Sequence, residues 1–318
     1  GEISYERCVA ALGSTINFCG VEGAKKFTHH VRTLKDALQL RNNVIKKLED
    51  EPDELQINVV GGGYTGVELA AEFGQLKQDD FKKLYPQTDV EINIIDVNDN
   101  ILSRMSEKVQ NRVTERLKNL GINIIPKTSA TKVTEDEVKL SNNETLANDI
   151  TVWAAGFTTN ASNLIDQKYL EKDRLPVNNH LQHRKEDTLY ALGDIALVTG
   201  PKNEEVYPQL GEASHMEGIY AGRQVVADLQ DKGKERDPFE FSSKGRLMPV
   251  GEWYGVAVFP WLNDFTLFGR LAWWMRRTAY LMFMPGIMKK LRIMCDWTIQ
   301  AFSFRNLTEI APRDYKKN

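Results

Sequence analysis

The chain has 318 residues, 42% hydrophobic and 27% charged, enough for about two domains and too apolar for wholesale disorder. Its 41 basic and 44 acidic residues leave a formal net charge of −3, which argues against a protein whose main task is to bind nucleic-acid phosphates. A mean hydropathy of −0.42 and the lack of an uncharged apolar run of about 18 residues exclude a polytopic membrane protein.

Residues 5–12 read as a short strand stopped by Gly13. A helix is predicted from about Thr33, with Arg41, Lys46 and Lys47 on its exposed side, until Pro52 and Asp53 break it. Residues 55–60 form an apolar, β-branched strand, Gly61–Gly63 a turn, and residues 65–78 have helical composition. The theme repeats. Residues 90–96 read as a strand, and Ser106 opens a helix with Val109, Val113, Leu117 and Leu120 on one stripe, closed by Gly121. Residues 122–125 are the next strand and 131–146 a β-meander; 150–155 and 189–192 are strands ending at Gly156 and at Gly193-Asp194. Strands alternating with helices predict an α/β fold with parallel βαβ units in a doubly wound sheet. No fixed-period repeat supports a solenoid.

The strongest motif is Gly61-Gly62-Gly63-Tyr64-Thr65-Gly66, a G-x-G-x-x-G between a predicted strand and a predicted helix. Gly61 would permit the tight turn, Gly63 the approach of a pyrophosphate, and Gly66 close helix–strand packing, with the helix N-terminus turned to the phosphates. Asp96, 30 residues past Gly66 where about 20 is usual, stands where an acid binds the ribose and favours NADH over NADPH. The polar segment 77–88 supplies the extra length. The alternative is a structural glycine turn with Asp96 as a solvated acid. Glu68 reads either as a first-turn acid favoured by the helix dipole or as a carboxylate beside the nicotinamide.

Cys8, Cys19 and Cys295 include no Cys-x-x-Cys, so a dithiol centre and a zinc knuckle fail, and a reducing compartment fits better than a disulfide scaffold. Cys8 and Cys19 are expected as buried small apolar residues. His180 and His183 read as a solvated loop pair, His29-His30 as equally plain, and no metal site is expected. The opening Gly-Glu-Ile-Ser-Tyr is neither a signal peptide nor a Met start, so the chain is expected to begin inside a longer product.

From about residue 245 the composition turns aromatic and Met-rich, with five of the six tryptophans. Leu271, Trp274, Met275, Thr278 and Met282 form one helical stripe; Leu291, Met294, Cys295, Thr298, Ile299 and Phe302 form another beyond Pro285-Gly286. Between residues 270 and 292 lie Arg270, Arg276, Arg277, Lys289, Lys290 and Arg292, with no acid. Basic amphipathic helices of this kind read as lying on an anionic membrane surface; packing on the body or a homodimer interface is the alternative.

On these residues the chain resembles type II NADH dehydrogenases (NADH:quinone oxidoreductases), of the two-dinucleotide-domain flavoprotein superfamily. The matching pieces are Val9-Ala-Ala-Leu-Gly-Ser14, Val59-Val-Gly-Gly-Gly-Tyr-Thr-Gly-Val-Glu-Leu-Ala70, Val152-Trp-Ala-Ala-Gly156, Ala191-Leu-Gly-Asp-Ile195 and the tail. The resemblance implies a Rossmann-like NADH-binding domain at 53–156, inserted in an FAD-binding domain made of 1–52 and 157–240. A membrane-associating region follows at 241–318. It implies NADH and FAD as cofactors, with Gly61, Gly63, Gly66 and Asp96 on NADH and Glu68 catalytic. Ala154, Ala155 and Gly156 would be a small-residue floor near the nicotinamide, and Gly193 with Asp194 would hold the flavin's ribityl chain. Hydride would pass from NADH to FAD and electrons to a quinone, on the cytoplasmic face of the cell membrane; no nucleic-acid partner is expected. The family opens with its own G-x-G-x-x-G for the FAD pyrophosphate, whereas this chain carries only the second such motif. It is therefore expected to lack half the FAD site as given. Gly211-Glu212 and Met216-Glu217 stand where the family has Ala-Gln and Gln-Gln, at the quinone side. A reductase with another acceptor, or a non-catalytic NADH-binding redox sensor, remains an open alternative.

Overall fold

Four parallel strands carry the candidate nucleotide site, in the order Ile122–Ile125, Asp89–Ile95, Glu54–Val60, Ile150–Trp153. Ile57, Val59, Ile92, Ile94 and Val152 are fully buried, as parallel strands covered on both faces require. The computed structural model describes residues 4–159, 161–200, 205–230 and 237–302. The chain divides into two units, one of 1–17 with 157–244 and the other of 18–156 with 245–318.

In the second unit, the helix Leu34–Glu49 begins at a reciprocal cap. The Thr33 side chain accepts the Asp36 N–H, and the Asp36 carboxylate accepts the Thr33 N–H at 2.8 Å. Leu40, Val44 and Leu48 of this helix share one core with Leu55 and Ile57 of the sheet. That packing is why residues 18–52, grouped by sequence with the flavin segments, cluster with 53–156. The helix after the glycine turn, Tyr64–Leu76, widens into a π turn at Lys77–Phe81 and ends at Leu84. This accounts for the long spacing to Asp96. The helix Glu107–Asn119 buries Val109, Val113 and Leu117, as its stripe predicts. The meander is Ala130–Val133, Glu137–Leu140 and Thr145–Ala147.

An antiparallel sheet that the sequence reading missed opens the C-terminal part of this unit: Arg246–Pro249, Gly255–Phe259 and Phe265–Gly269. The tail helix Arg270–Phe283 follows directly, burying Ala272 and Trp273. Gly255 permits that packing, since a Cβ there would lie 2.8 Å from the Trp273 nitrogen. Leu271, Trp274 and Met282 face outward. The second tail helix is Ile287–Phe302. No helix among the described residues is long and apolar enough to cross a membrane.

In the first unit the predicted strand 5–12 is shorter, Cys8–Ala10, and pairs in parallel with Glu186–Ala191. Gly13, at φ 65°, reverses the chain into a second strand, Ser14–Ile16, paired with Phe157–Thr159. Tyr190, Leu175, Leu181, Ile195 and Phe239 form this unit's core, with Ala221 from the helix Gly211–Leu229.

Candidate active site

Each glycine of the turn meets a different surrounding. Gly61 has φ 111°, and a Cβ on it would sit 2.6 Å from the Ala154 carbonyl. A Cβ on Gly66 would lie 1.8 Å from the Gly61 oxygen, so the helix can pack here only with glycine. Gly63 has an ordinary φ of −75° and nothing within 4 Å of its Cβ position. The protein itself therefore does not require glycine there; space is kept open at the N-terminus of the helix Tyr64–Leu76, where a phosphate is favoured. The sequence reading assigned no part to Gly62. Its Cβ would meet Ile101 at 2.8 Å and Asp96 Oδ2 at 2.9 Å, so it is the glycine that lets the acid reach the turn.

Asp96 follows the strand Asp89–Ile95 and is 8% exposed, which overturns the solvated alternative. Its Oδ2 accepts the Gly62 N–H, and its Oδ1 accepts the Asn98 backbone and side-chain N–H groups, each at 2.7 Å. A carboxylate has about four acceptor positions, so these three donors leave one for a ribose hydroxyl. Beside the turn, the Ala154 nitrogen donates to the Val60 oxygen at 2.7 Å, Ala155 is exposed, and Gly156 has φ 139° with no atom within 4 Å of its Cβ position.

Glu68, one turn into the helix, is half-buried. Burial raises its carboxyl above the ordinary range, and the positive charge of Arg276 opposes this. Burial likewise raises the Tyr64 hydroxyl, countered by Arg246 and reinforced by Glu68. Tyr64, Glu68, Arg246 and Arg276 thus make a polar cluster, of which the sequence reading gave Tyr64 and Arg246 no role and assigned Arg276 to the membrane. Arg276 Nε is buried without a hydrogen-bond partner, and its guanidinium stacks on Tyr280 at 4.8 Å. Arg277 lies 3.9 Å from the Trp273 ring centre and 4.8 Å from that of Trp297. Lys290 Nζ donates to the Met282 carbonyl at 3.2 Å, so three of the six tail cations assigned by sequence to the membrane engage the protein. The signal for this was weak, since a stripe shows which face is apolar but not which cation folds inward.

In the first unit, Gly193 takes φ 72° and donates its N–H to Glu217 Oε2 at 2.6 Å. Asp194 Oδ2 accepts the Ser14 hydroxyl at 2.6 Å, and its carbonyl accepts Gln209 Nε2 at 2.8 Å. Gly211 opens the helix that carries both Glu212 and Glu217. Glu212 accepts the Lys244 N–H at 2.8 Å and the Ser243 hydroxyl at 3.1 Å, whereas Glu217 turns to Gly193. Five residues apart on a helix, the two acids serve different neighbours.

Three plain readings change. Cys19 is exposed at a turn, and Cys8 is only half-buried because it starts an edge strand. His183 is buried, its Nε2 2.9 Å from the Tyr169 oxygen, while His180 Nδ1 lies 2.8 Å from the Tyr220 hydroxyl. Among the described residues no group of His, Cys, Asp and Glu could hold a metal ion.

The family model for pyridine nucleotide-disulphide oxidoreductases matches residues 1–218. A probable NADH dehydrogenase of Dictyostelium discoideum is 24% identical over 312 residues, covering 93% of this chain and 67% of the relative. A type II NADH:quinone oxidoreductase of Mycobacterium tuberculosis is 24% identical, covering 95% of this chain and 68% of the relative. The chain thus spans about two thirds of the length of these relatives. NDH2 of Plasmodium falciparum, solved with NADH, has the same fold at a TM-score of 0.87 and 18% identity, over 96% of this chain and 80% of that one.

Proposed function

The chain belongs to the pyridine nucleotide-disulphide oxidoreductase family, and we propose that within it the protein is an NADH dehydrogenase of the type II, NADH:quinone kind. The observation that carries this reading is the open position at Gly63, set between Gly61 and Gly66, which the fold itself restricts to glycine. The names of the relatives support the same reading.

NADH would bind with its pyrophosphate at Gly63 and the helix N-terminus, and its ribose on the remaining acceptor position of Asp96. The exposed Ala155 and the bare Gly156 leave room for a flat ring. Ser14 and Gln209 fix Asp194, and Glu217 fixes Gly193, so that this turn can present a carboxylate to the flavin's polyol. FAD, when bound, supplies the redox chemistry, taking hydride from NADH and passing electrons to a quinone; the chain supplies binding, orientation and electrostatics. A yellow, FAD-containing protein that oxidises NADH with a quinone would establish the reading. A full-length protein that stays colourless with FAD supplied and binds NADH without turnover would replace it with the sensor reading.

The Asp96 assignment has its own test. NADH should bind at least about tenfold more tightly than NADPH, since a 2′-phosphate would meet a buried carboxylate, and about 1.4 kcal/mol suffices for that ratio. Equal affinities in calorimetric titration would remove Asp96 from the site.

Glu68 is the proposed catalytic acid. Its raised carboxyl stays protonated to higher pH than an ordinary one, so NADH-dependent turnover should show a limb where it titrates. Glu68→Gln should remove that limb. Arg276→Gln should shift it to higher pH, because Arg276 favours the charged carboxylate. A limb unchanged in both variants would show that another group titrates.

The tail supports peripheral attachment to an anionic membrane. Met288, Leu291, Met294 and Ile299 are all at least half exposed on the second tail helix, beside Lys289, Lys290 and Arg292. The cytoplasmic face suits a chain of three cysteines in a reducing setting.

A further inference from the structure

Glu217 is only 3% exposed, yet the polar contact it makes is with a backbone group, the Gly193 N–H at 2.6 Å. Gly193 and Asp194 form the first turn of a short 3-10 segment, Gly193–Ile195. The helix Gly211–Leu229 holds that turn through Glu217, and packs so closely on it that a Cβ at Gly193 would lie 3.3 Å from Ser214 Oγ. Asp194 is tied from the other side by Ser14 and Gln209. Among the described residues, the charged groups acting on Glu217 are few. Asp194 faces it with like charge, and Arg174 interacts with Asp194 from the segment before the strand Leu175–Pro176. A carboxylate this buried, with a like charge facing it, is disfavoured relative to its protonated form.

We propose that Glu217 is a positioning residue: its buried carboxyl, in the place where the resembled family carries an amide, holds the Gly193–Asp194 turn so that Asp194 reaches the flavin, and it thereby makes flavin retention depend on pH. This rests on the reading of Asp194 as a flavin ligand. Burial, the largest influence, raises the Glu217 carboxyl; the Gly193 N–H opposes it, and the Asp194 charge adds to the rise. A carboxyl raised in the folded state and ordinary in the unfolded state gives stability that is fully present below the unfolded value, about 4.3, and is lost as pH rises toward the folded value. When Glu217 ionises, it repels Asp194 and loosens the turn. A glutamine would keep the acceptor for Gly193 and lose the titration.

The experiment compares wild type, Glu217→Gln and Glu217→Leu in the full-length protein. Thermal melting from pH 5 to pH 8.5 should show Glu217→Gln more stable than wild type at pH 8.5, by about 2 °C or more, with the gap closing toward pH 5. A Glu217→Gln protein that melts below wild type at pH 8.5 would mean that the carboxylate is ionised and favourable, and would overturn the proposal. Flavin titration of the apoprotein reads the coupling. Wild-type affinity should fall at least about threefold from pH 6 to pH 8.5, Glu217→Gln should stay flat, and Glu217→Leu should be weak throughout because Gly193 loses its acceptor. Identical pH profiles for wild type and Glu217→Gln would overturn the coupling. If none of the three binds flavin, the Asp194 reading fails, while the melting curves still decide the state of Glu217.

Discussion

Gly63→Val is expected to give a folded protein that binds NADH at least about 100-fold more weakly, a loss of about 2.7 kcal/mol. The backbone at Gly63 has φ −75°, which valine adopts without strain, and no atom lies within 4 Å of the new Cβ. The side chain would instead fill the space above the first turn of the helix Tyr64–Leu76, where a pyrophosphate would approach the N–H groups. Gly66→Ala is the control with the opposite outcome. Its methyl would lie 1.8 Å from the Gly61 oxygen, so the strand–turn–helix unit must shift, and the loss should appear as instability, not as selective weakening of binding. Circular dichroism melts with calorimetric titration separate the two. Normal NADH affinity in a folded Gly63→Val protein would make the turn structural only.

The second large effect is expected at the membrane. Ile287, Met288 and Leu291 are half to three-quarters exposed, so replacing all three by serine should leave the fold unchanged. If they enter the headgroup region, each gains up to about 1.5–3 kcal/mol of apolar burial, which serine forfeits. Even with half of that realised, partitioning onto vesicles rich in anionic lipid should fall at least about 40-fold. Lys289, Lys290 and Arg292 add attraction of about 1 kcal/mol each near such a surface. High salt should therefore weaken binding of the wild-type chain without abolishing it. Co-sedimentation checks both points. Serine substitutions are preferred to a truncation of the tail, because ending the chain before Phe265 would remove the edge strand Phe265–Gly269 and the buried Trp273. Equal pelleting of the wild type and the triple-serine variant would make the tail a packing or dimer element.

The sequence by itself determined the parallel βαβ core, the glycine turn, the acid after the second strand and the two tail helices with their outward stripes. Each is a local pattern: an apolar β-branched run, a motif at a strand–helix junction, a 3.6-residue period. Only the tertiary structure decided how those parts are used. The sheet Arg246–Pro249, Gly255–Phe259, Phe265–Gly269 escaped notice because its strands are short and its glycines and aromatics resemble loop composition, while its stability comes from partners distant in sequence. Gly62 became meaningful only once Asp96, 34 residues away, was seen to bond its N–H. Arg276 and Arg277 counted with the lipid-facing cations until Glu68 and the rings of Trp273 and Trp297 were seen to claim them. Glu217 stood in the sequence as a displaced glutamine of an acceptor site, and only the fold shows it buried against Gly193. Periodicity and motif spacing record what a residue's neighbours along the chain require; the partner of a polar side chain is chosen by the burial of that group and by whichever donor or acceptor the fold brings within about 3 Å.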